Sequence, residues 1–150
     1  MLIDKQNQFS ADAGDTPTST GSLASTNIVD LGVARDIGGA VTDQLMLLCE
    51  VVTAFTSGGS GTLQVQVQTA PDNGSGAPGA WSTLVQSDAV ALAALVPGYK
   101  FLPGELPGGT QRFVRLNYVV GTAAMTAGAL KSALVPSLDV QPVYPRGYAA

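Results

Sequence analysis

At 150 residues, 45% apolar and only 12% charged, the chain is sized for one domain with a single core and a surface short of charge. Its 18 Gly and 9 Pro favour short strands joined by many turns. A net charge of −4, with seven Lys and Arg scattered over the whole length, argues against a nucleic-acid ligand, because no basic run exists to neutralise a phosphate backbone.

No apolar run approaches the roughly 18 residues of a membrane span. The start, Met1-Leu2-Ile3-Asp4-Lys5-Gln6, lacks the basic and longer apolar regions of a signal peptide. The expectation is a soluble protein made in a cytoplasm, with no membrane partner. In chain order, residues 1–25 show no sustained periodicity around Pro17 and read as an extended arm with a turn, pinned by Leu2, Ile3 and Phe9. Residues 27–32 form a short strand ending at Gly32, and residues 35–39 make a turn. Residues 45–55 follow as a long strand apolar on both faces. The loop Ser57-Gly58-Gly59-Ser60-Gly61 leads into residues 62–69, which suggests a hairpin between these two strands.

Residues 62–69 carry the clearest pattern of the chain. A period of two puts Leu63, Val65 and Val67 on one face and Gln64, Gln66 and Gln68 on the other. The outer face thus presents neutral amides, suited to solvent or to a covering chain. Residues 71–80 are a Gly/Pro loop, expected to be mobile, and residues 81–85 a short strand. Residues 87–96 read as a strand or a single helical turn, stopped by Pro97-Gly98. Residues 99–102 form the next strand. Turns at Pro103-Gly104 and Pro107-Gly108-Gly109 precede a strong strand at 112–120, with Val114, Leu116, Tyr118 and Val120 on one face. Residues 126–135 form the last strand. Beyond it Pro136, Pro142 and Pro145 exclude a helix or a central strand, leaving a second extended arm.

About eight short strands separated by Gly/Pro turns indicate an all-β, antiparallel, jelly-roll-like β-sandwich with extended N- and C-terminal arms. The expected division is one domain over 1–150, with a core at 26–135 and arms at 1–25 and 136–150.

The residue inventory leaves little for catalysis. The chain contains no histidine, which removes the commonest general base and metal ligand. Cys49, the single cysteine, sits in an apolar run and reads as a small core residue. Glu50 lies in the same run, where facing an edge or pairing with an arginine is the expectation. Gly74-Ser75-Gly76-Ala77-Pro78-Gly79 matches a dinucleotide-type glycine pattern, but Trp81-Ser82-Thr83-Leu84 follows it in place of a helix. No paired acids have the spacing of a calcium loop. Arg112 and Arg115, three apart on a strand, fall on opposite faces and do not form one anion clamp. The expectation is no catalytic residue, no metal and no cofactor. Trp81 with nearby tyrosines leaves a carbohydrate-binding module as the alternative function.

Several segments together carry a resemblance: Leu2-Ile3-Asp4-Lys5-Gln6-Asn7-Gln8-Phe9-Ser10, Asn27-Ile28-Val29-Asp30-Leu31-Gly32, Arg35-Asp36-Ile37-Gly38, Val65-Gln66-Val67-Gln68-Thr69, Arg112-Phe113-Val114-Arg115-Leu116-Asn117-Tyr118 and Thr126-Ala127-Gly128. In this order and spacing the chain resembles the capsid cement (decoration) proteins of short-tailed bacteriophages of the Bordetella-phage type, from Leu2 to about Tyr148. The resemblance implies a jelly-roll protein on the outside of an icosahedral head that bridges neighbouring capsomers, with no catalysis. The implied partners are the major capsid protein and further copies of the chain itself, a homodimer favoured and a trimer the alternative. The implied location is the outer capsid surface of a virion assembled in a bacterial cytoplasm. The expected interface residues are Leu2, Ile3 and Phe9 on one arm, Gln64, Gln66 and Gln68 on the sheet, and Tyr144, Arg146 and Tyr148 on the other arm.

Overall fold

Leu63, Val65 and Val67 are completely buried while Gln64, Gln66 and Gln68 are half-buried on the opposite face, so the period of two in the sequence is the period of the structure. A computed structural model of the chain describes residues 4–34, 45–102 and 104–136. The strands are β1 (Gly21–Ala24), β2 (Val29–Asp30), β3 (Leu45–Ser57), β4 (Thr62–Ala70), β5 (Ser82–Gln86), β6 (Val90–Ala91), β7 (Gly104–Glu105), β8 (Phe113–Gly121) and β9 (Met125–Pro136). Among the described residues the helical structure is limited to two 3-10 turns, Lys5–Asn7 and Leu92–Ala94.

The strands make two antiparallel sheets, as an all-β sandwich requires. One has the order β1-β8-β4-β5, with β2 also on β8 and β6 also on β4; the other has the order β7-β3-β9. The expected hairpin between the strands at 45–55 and 62–69 does not form. β3 pairs with β9 and β4 with β8, and the loop after Ser57 carries the chain from one sheet to the other. The turn from β8 to β9 makes the same crossing beside it. The result is one long two-stranded ladder folded in half, with Ser57 opposite Met125 on one side of the fold and Thr62 opposite Gly121 on the other.

Close backbone approach explains the small residues at this fold. A Cβ on Gly61 would lie 2.9 Å from the Met125 sulfur, and Thr122 adopts a positive φ of 65°. The β3–β9 ladder bends through register shifts between Val51 and Ser57. Inside that bend Gly128, at φ +134°, lies against the Phe55 ring, where a Cβ would come within 2.2 Å of it.

The core lies between the sheets. Leu47, Cys49 and Val51 of β3 and Leu130 and Leu134 of β9 face the apolar rows of β4 and β8. Val114, Leu116, Tyr118 and Val120 are all buried on one face, as the alternation at 112–120 predicts. Residues 99–102, expected as a strand, instead run irregularly along β3: Val51 N–H donates to the Tyr99 carbonyl and Phe101 N–H to the Cys49 carbonyl. Residues 87–96 divide into the two-residue β6 and the 3-10 turn at Leu92–Ala94.

The largest departure from the sequence reading is the N-terminal segment. From Gln8 onward it lies along both sheets of the sandwich. Gln8 pairs with Ala133 and Asp15 with Leu130 on β9, then β1 and β2 pair with β8. Phe9 is completely buried, which stabilises the fold by roughly 2–3 kcal/mol that a free arm would forgo. Phe9 therefore belongs to the core of its own chain, with its N–H donating to the Ser132 carbonyl over 2.9 Å. Leu2 and Ile3, the turn at 35–39 and the segment 137–150, with Tyr144, Arg146 and Tyr148, lie outside the described residues.

Candidate functional site

The outer face of the six-stranded sheet carries a continuous row of polar side chains. β4 is central, so its outward glutamines meet neighbours on both sides: Gln66 stands opposite Asn117 and Gln68 opposite Arg115 on β8, and Gln66 is opposite Gln86 on β5. The hydrogen bonds run one way across this face. Arg115 Nε donates to Gln68 Oε1 over 2.9 Å, Gln68 Nε2 donates to Gln66 Oε1 over 3.4 Å, and Gln66 Nε2 donates to Gln86 Oε1 over 3.1 Å. Asn117 Nδ2 adds donors to Gln66 Oε1 at 2.8 Å and to Ser22 Oγ of β1 at 3.1 Å. Gln64 stands apart from this chain and donates to the Ser87 carbonyl at 2.8 Å.

The amides hold one another in place, so the row is a fixed surface. Covering neutral amides that already have partners costs far less than covering charges. The sequence pattern identified the three glutamines. It did not identify Asn117, Arg115, Gln86 and Ser22, which join them only through strand pairing.

Trp81 closes one end of the row. The Arg115 guanidinium carbon lies 4.1 Å from the centroid of its ring, a cation–π contact on a half-buried indole. One face of Trp81 is thus occupied, which removes a ring face that a stacked sugar would use. Burial lowers the pKa of Arg115 from its ordinary value.

Arg112 is engaged quite differently. Its Nε and Nη2 donate to the two carboxylate oxygens of Asp30 at 2.9 and 3.0 Å, and Nη1 donates to Asp72. The two arginines therefore serve separate clusters, as their spacing predicts. Asp72 also accepts from the N–H groups of Gly74 and Gly76 at 2.8 and 2.9 Å, and Asn73 N–H donates to the Ala77 carbonyl. The glycine loop expected to be mobile is thus tied internally and to Arg112. The Arg112 hydrogen bonds hold the Asp30 carboxyl below the ordinary range, and the Gly74 and Gly76 amides do the same for Asp72.

Burial pushes the Cys49 thiol far up, as suits a core residue. Glu50 stands in register between Lys131 of β9 and Lys100 of the irregular segment beside β3, so lysines rather than an arginine flank it. Among the described residues no group of three or more acidic or cysteine side chains is placed to hold a metal, and no helix is long and apolar enough to cross a membrane.

A sequence model of the family described as Bbp16 matches residues 13–134 of the chain. Among curated proteins none matches it. The matched span takes in the amide row, Trp81 and both arginines, while Leu2, Ile3, Phe9, Tyr144, Arg146 and Tyr148 fall outside it.

Proposed function

The chain belongs to the Bbp16 family, a Bordetella phage protein family, and on that premise we propose that it is a structural virion protein that cements the head. It binds the outer surface of the icosahedral shell, contacts the major capsid protein and bridges neighbouring capsomers. The observation that carries this reading is the amide row on the six-stranded sheet, a rigid polar surface that a partner can cover at low desolvation cost. We read the folded double ladder as the hairpin of a jelly roll, wound so that this sheet face stays open.

The work is mechanical, and the chain does no chemistry. Bridging needs two contacts on one particle, which a homodimer, or in the alternative a trimer, supplies. Each contact then raises the local concentration at which the next one forms, so modest single sites suffice. The prolines beyond β9 suit an extended segment that adds a strand to an exposed sheet edge of a shell subunit.

Two truncations separate the parts of this reading. Purified heads lacking the protein should bind the full-length chain, and a chain ending at residue 136 should stay folded and lose most of that binding. Removal of residues 1–20 should instead unfold the sandwich, because Phe9 and Asp15 go with them. Failure of the full-length chain to bind heads overturns the cement function; full binding by the chain ending at 136 overturns the C-terminal contact.

A further inference from the structure

We propose that Arg115 is the anchor of the docking face. Its guanidinium, laid on Trp81, receives a carboxylate from an acidic side chain of the shell subunit on which the protein sits. The inference rests on the cement reading and names the chemistry of its partner.

The first support is the contrast between the two neighbouring arginines. Arg112 is neutralised by two aspartates, with donors committed at Nε and both terminal nitrogens. Arg115 has a single hydrogen bond, from Nε to the neutral Gln68, and no carboxylate within ion-pair distance among the described residues. A cation that is partly withdrawn from water and paired only with an amide and a ring has a large unmet preference for an anion.

The direction of the hydrogen bonds is the second support. Gln68 turns its carbonyl oxygen to Arg115 and its amide nitrogen to Gln66, which repeats the pattern toward Gln86. The side-chain oxygens of Gln68, Gln66 and Gln86 are each engaged within the row. What remains for a partner at its Arg115 end is a fork of N–H donors on the terminal guanidinium nitrogens, which matches the two oxygens of a carboxylate.

Preorganisation is the third. The ring at 4.1 Å and the Gln68 bond at 2.9 Å fix the plane of the guanidinium before any partner arrives, so little side-chain entropy remains to be lost on docking. Arginine and tryptophan are the residue types most often found to dominate interface energetics, and here they are already in contact. In a chain of net charge −4, Arg115 is also the positive point of a sheet face whose other residues on β4 and β8 are uncharged. An acidic group is therefore the one charged partner this face selects.

The test measures binding of the full-length protein to heads lacking it, across a series of salt concentrations. R115M keeps the apolar stem over Trp81 and removes the charge; R115K keeps a charge without the planar fork. R115M should weaken binding about tenfold or more at low salt and flatten its salt dependence, with an unchanged circular dichroism spectrum and urea midpoint. R115K should recover only part of the affinity and should retain the salt dependence. K5M, which removes an exposed charge elsewhere, should bind as the wild type does. If the wild type binds and R115M binds equally with the same salt dependence, the anchor is overturned while the cement reading stands. If R115M changes the oligomer mass and leaves head binding intact, the carboxylate belongs to a second copy of the chain and the shell is excluded as its source. If the wild type does not bind at all, it is the cement reading that fails.

Discussion

The Tyr118 hydroxyl donates to the Asp15 carboxylate over 2.9 Å inside the sandwich, a hydrogen bond between residues 103 positions apart. The same carboxylate accepts from Ala11 N–H at 3.1 Å, Thr26 N–H at 3.2 Å and Thr26 Oγ1 at 2.5 Å. Asp15 is 5% exposed, and the Tyr118 hydroxyl that donates to it is buried with it. It is the point at which the N-terminal segment is fastened to the core.

Asp15→Ala should therefore cost about 3–4 kcal/mol, since it removes the acceptor of four donor groups, the buried Tyr118 hydroxyl among them. Tyr118→Phe removes one bond from the same cluster and should cost about 1–2 kcal/mol. Urea unfolding of both variants checks the order, and hydrogen exchange should show the loss of protection beginning at the Asp15–Leu130 bridge.

Gly128→Ala should be among the most damaging single substitutions. The added methyl would meet the Phe55 ring at 2.2 Å, in a backbone conformation of φ +134° that side chains rarely adopt. A loss of about 3 kcal/mol or more is expected. Pairing it with Phe55→Leu relieves the overlap and leaves the backbone strain, so the double variant should recover stability only in part. Thermal melts of the three variants measure this.

The Arg112 cluster should make stability sensitive to acid. Asp30 and Asp72 are both held below their ordinary pKa, so the folded form binds protons less readily than the unfolded chain. Their contribution is complete above the ordinary aspartate range near pH 4 and is lost as the pH falls through their lowered values. Urea midpoints measured between pH 5 and pH 2 should drop more steeply for the wild type than for Arg112→Met. Parallel slopes would show that Arg112 adds nothing to what the backbone amides of Gly32, Gly74 and Gly76 already do.

Cys49 should be silent in the folded protein. It is 1% exposed, and burial pushes its thiol far up, so a disulfide reagent at pH 8 should react only after denaturant is added. Reaction at a rate independent of denaturant would contradict the packing of β3 against the opposite sheet.

How much was legible in the sequence varies with the range over which each feature is stabilised. Strand identity was readable at 62–69, 112–120 and 126–135 because the alternation of Leu63, Val65 and Val67 with glutamines reports burial on one face directly. The exclusion of a one-clamp role for Arg112 and Arg115 was readable for the same reason. β1 was missed because Gly21-Ser22-Leu23-Ala24 is short and entirely exposed, so no apolar pattern marks it.

Sequence alone determined that this is an all-β chain with an apolar row along each of the strands at 62–69 and 112–120, an uncharged outer face on β4 and no histidine, because those follow from residue type and a local period. Tertiary structure decided the rest. Two strands joined by a four-residue loop satisfy the same local pattern whether they pair or part, and only the ladders of β3 with β9 and β4 with β8 made the loop a crossing between sheets. Whether residues 8–30 hang free or complete the sandwich depended on bonds such as Tyr118 to Asp15, whose partners are too far apart in sequence for any local pattern to announce them. The pairing of Arg115 with Trp81 and Gln68 belongs to that second kind, because it exists only where β8 and β4 lie side by side.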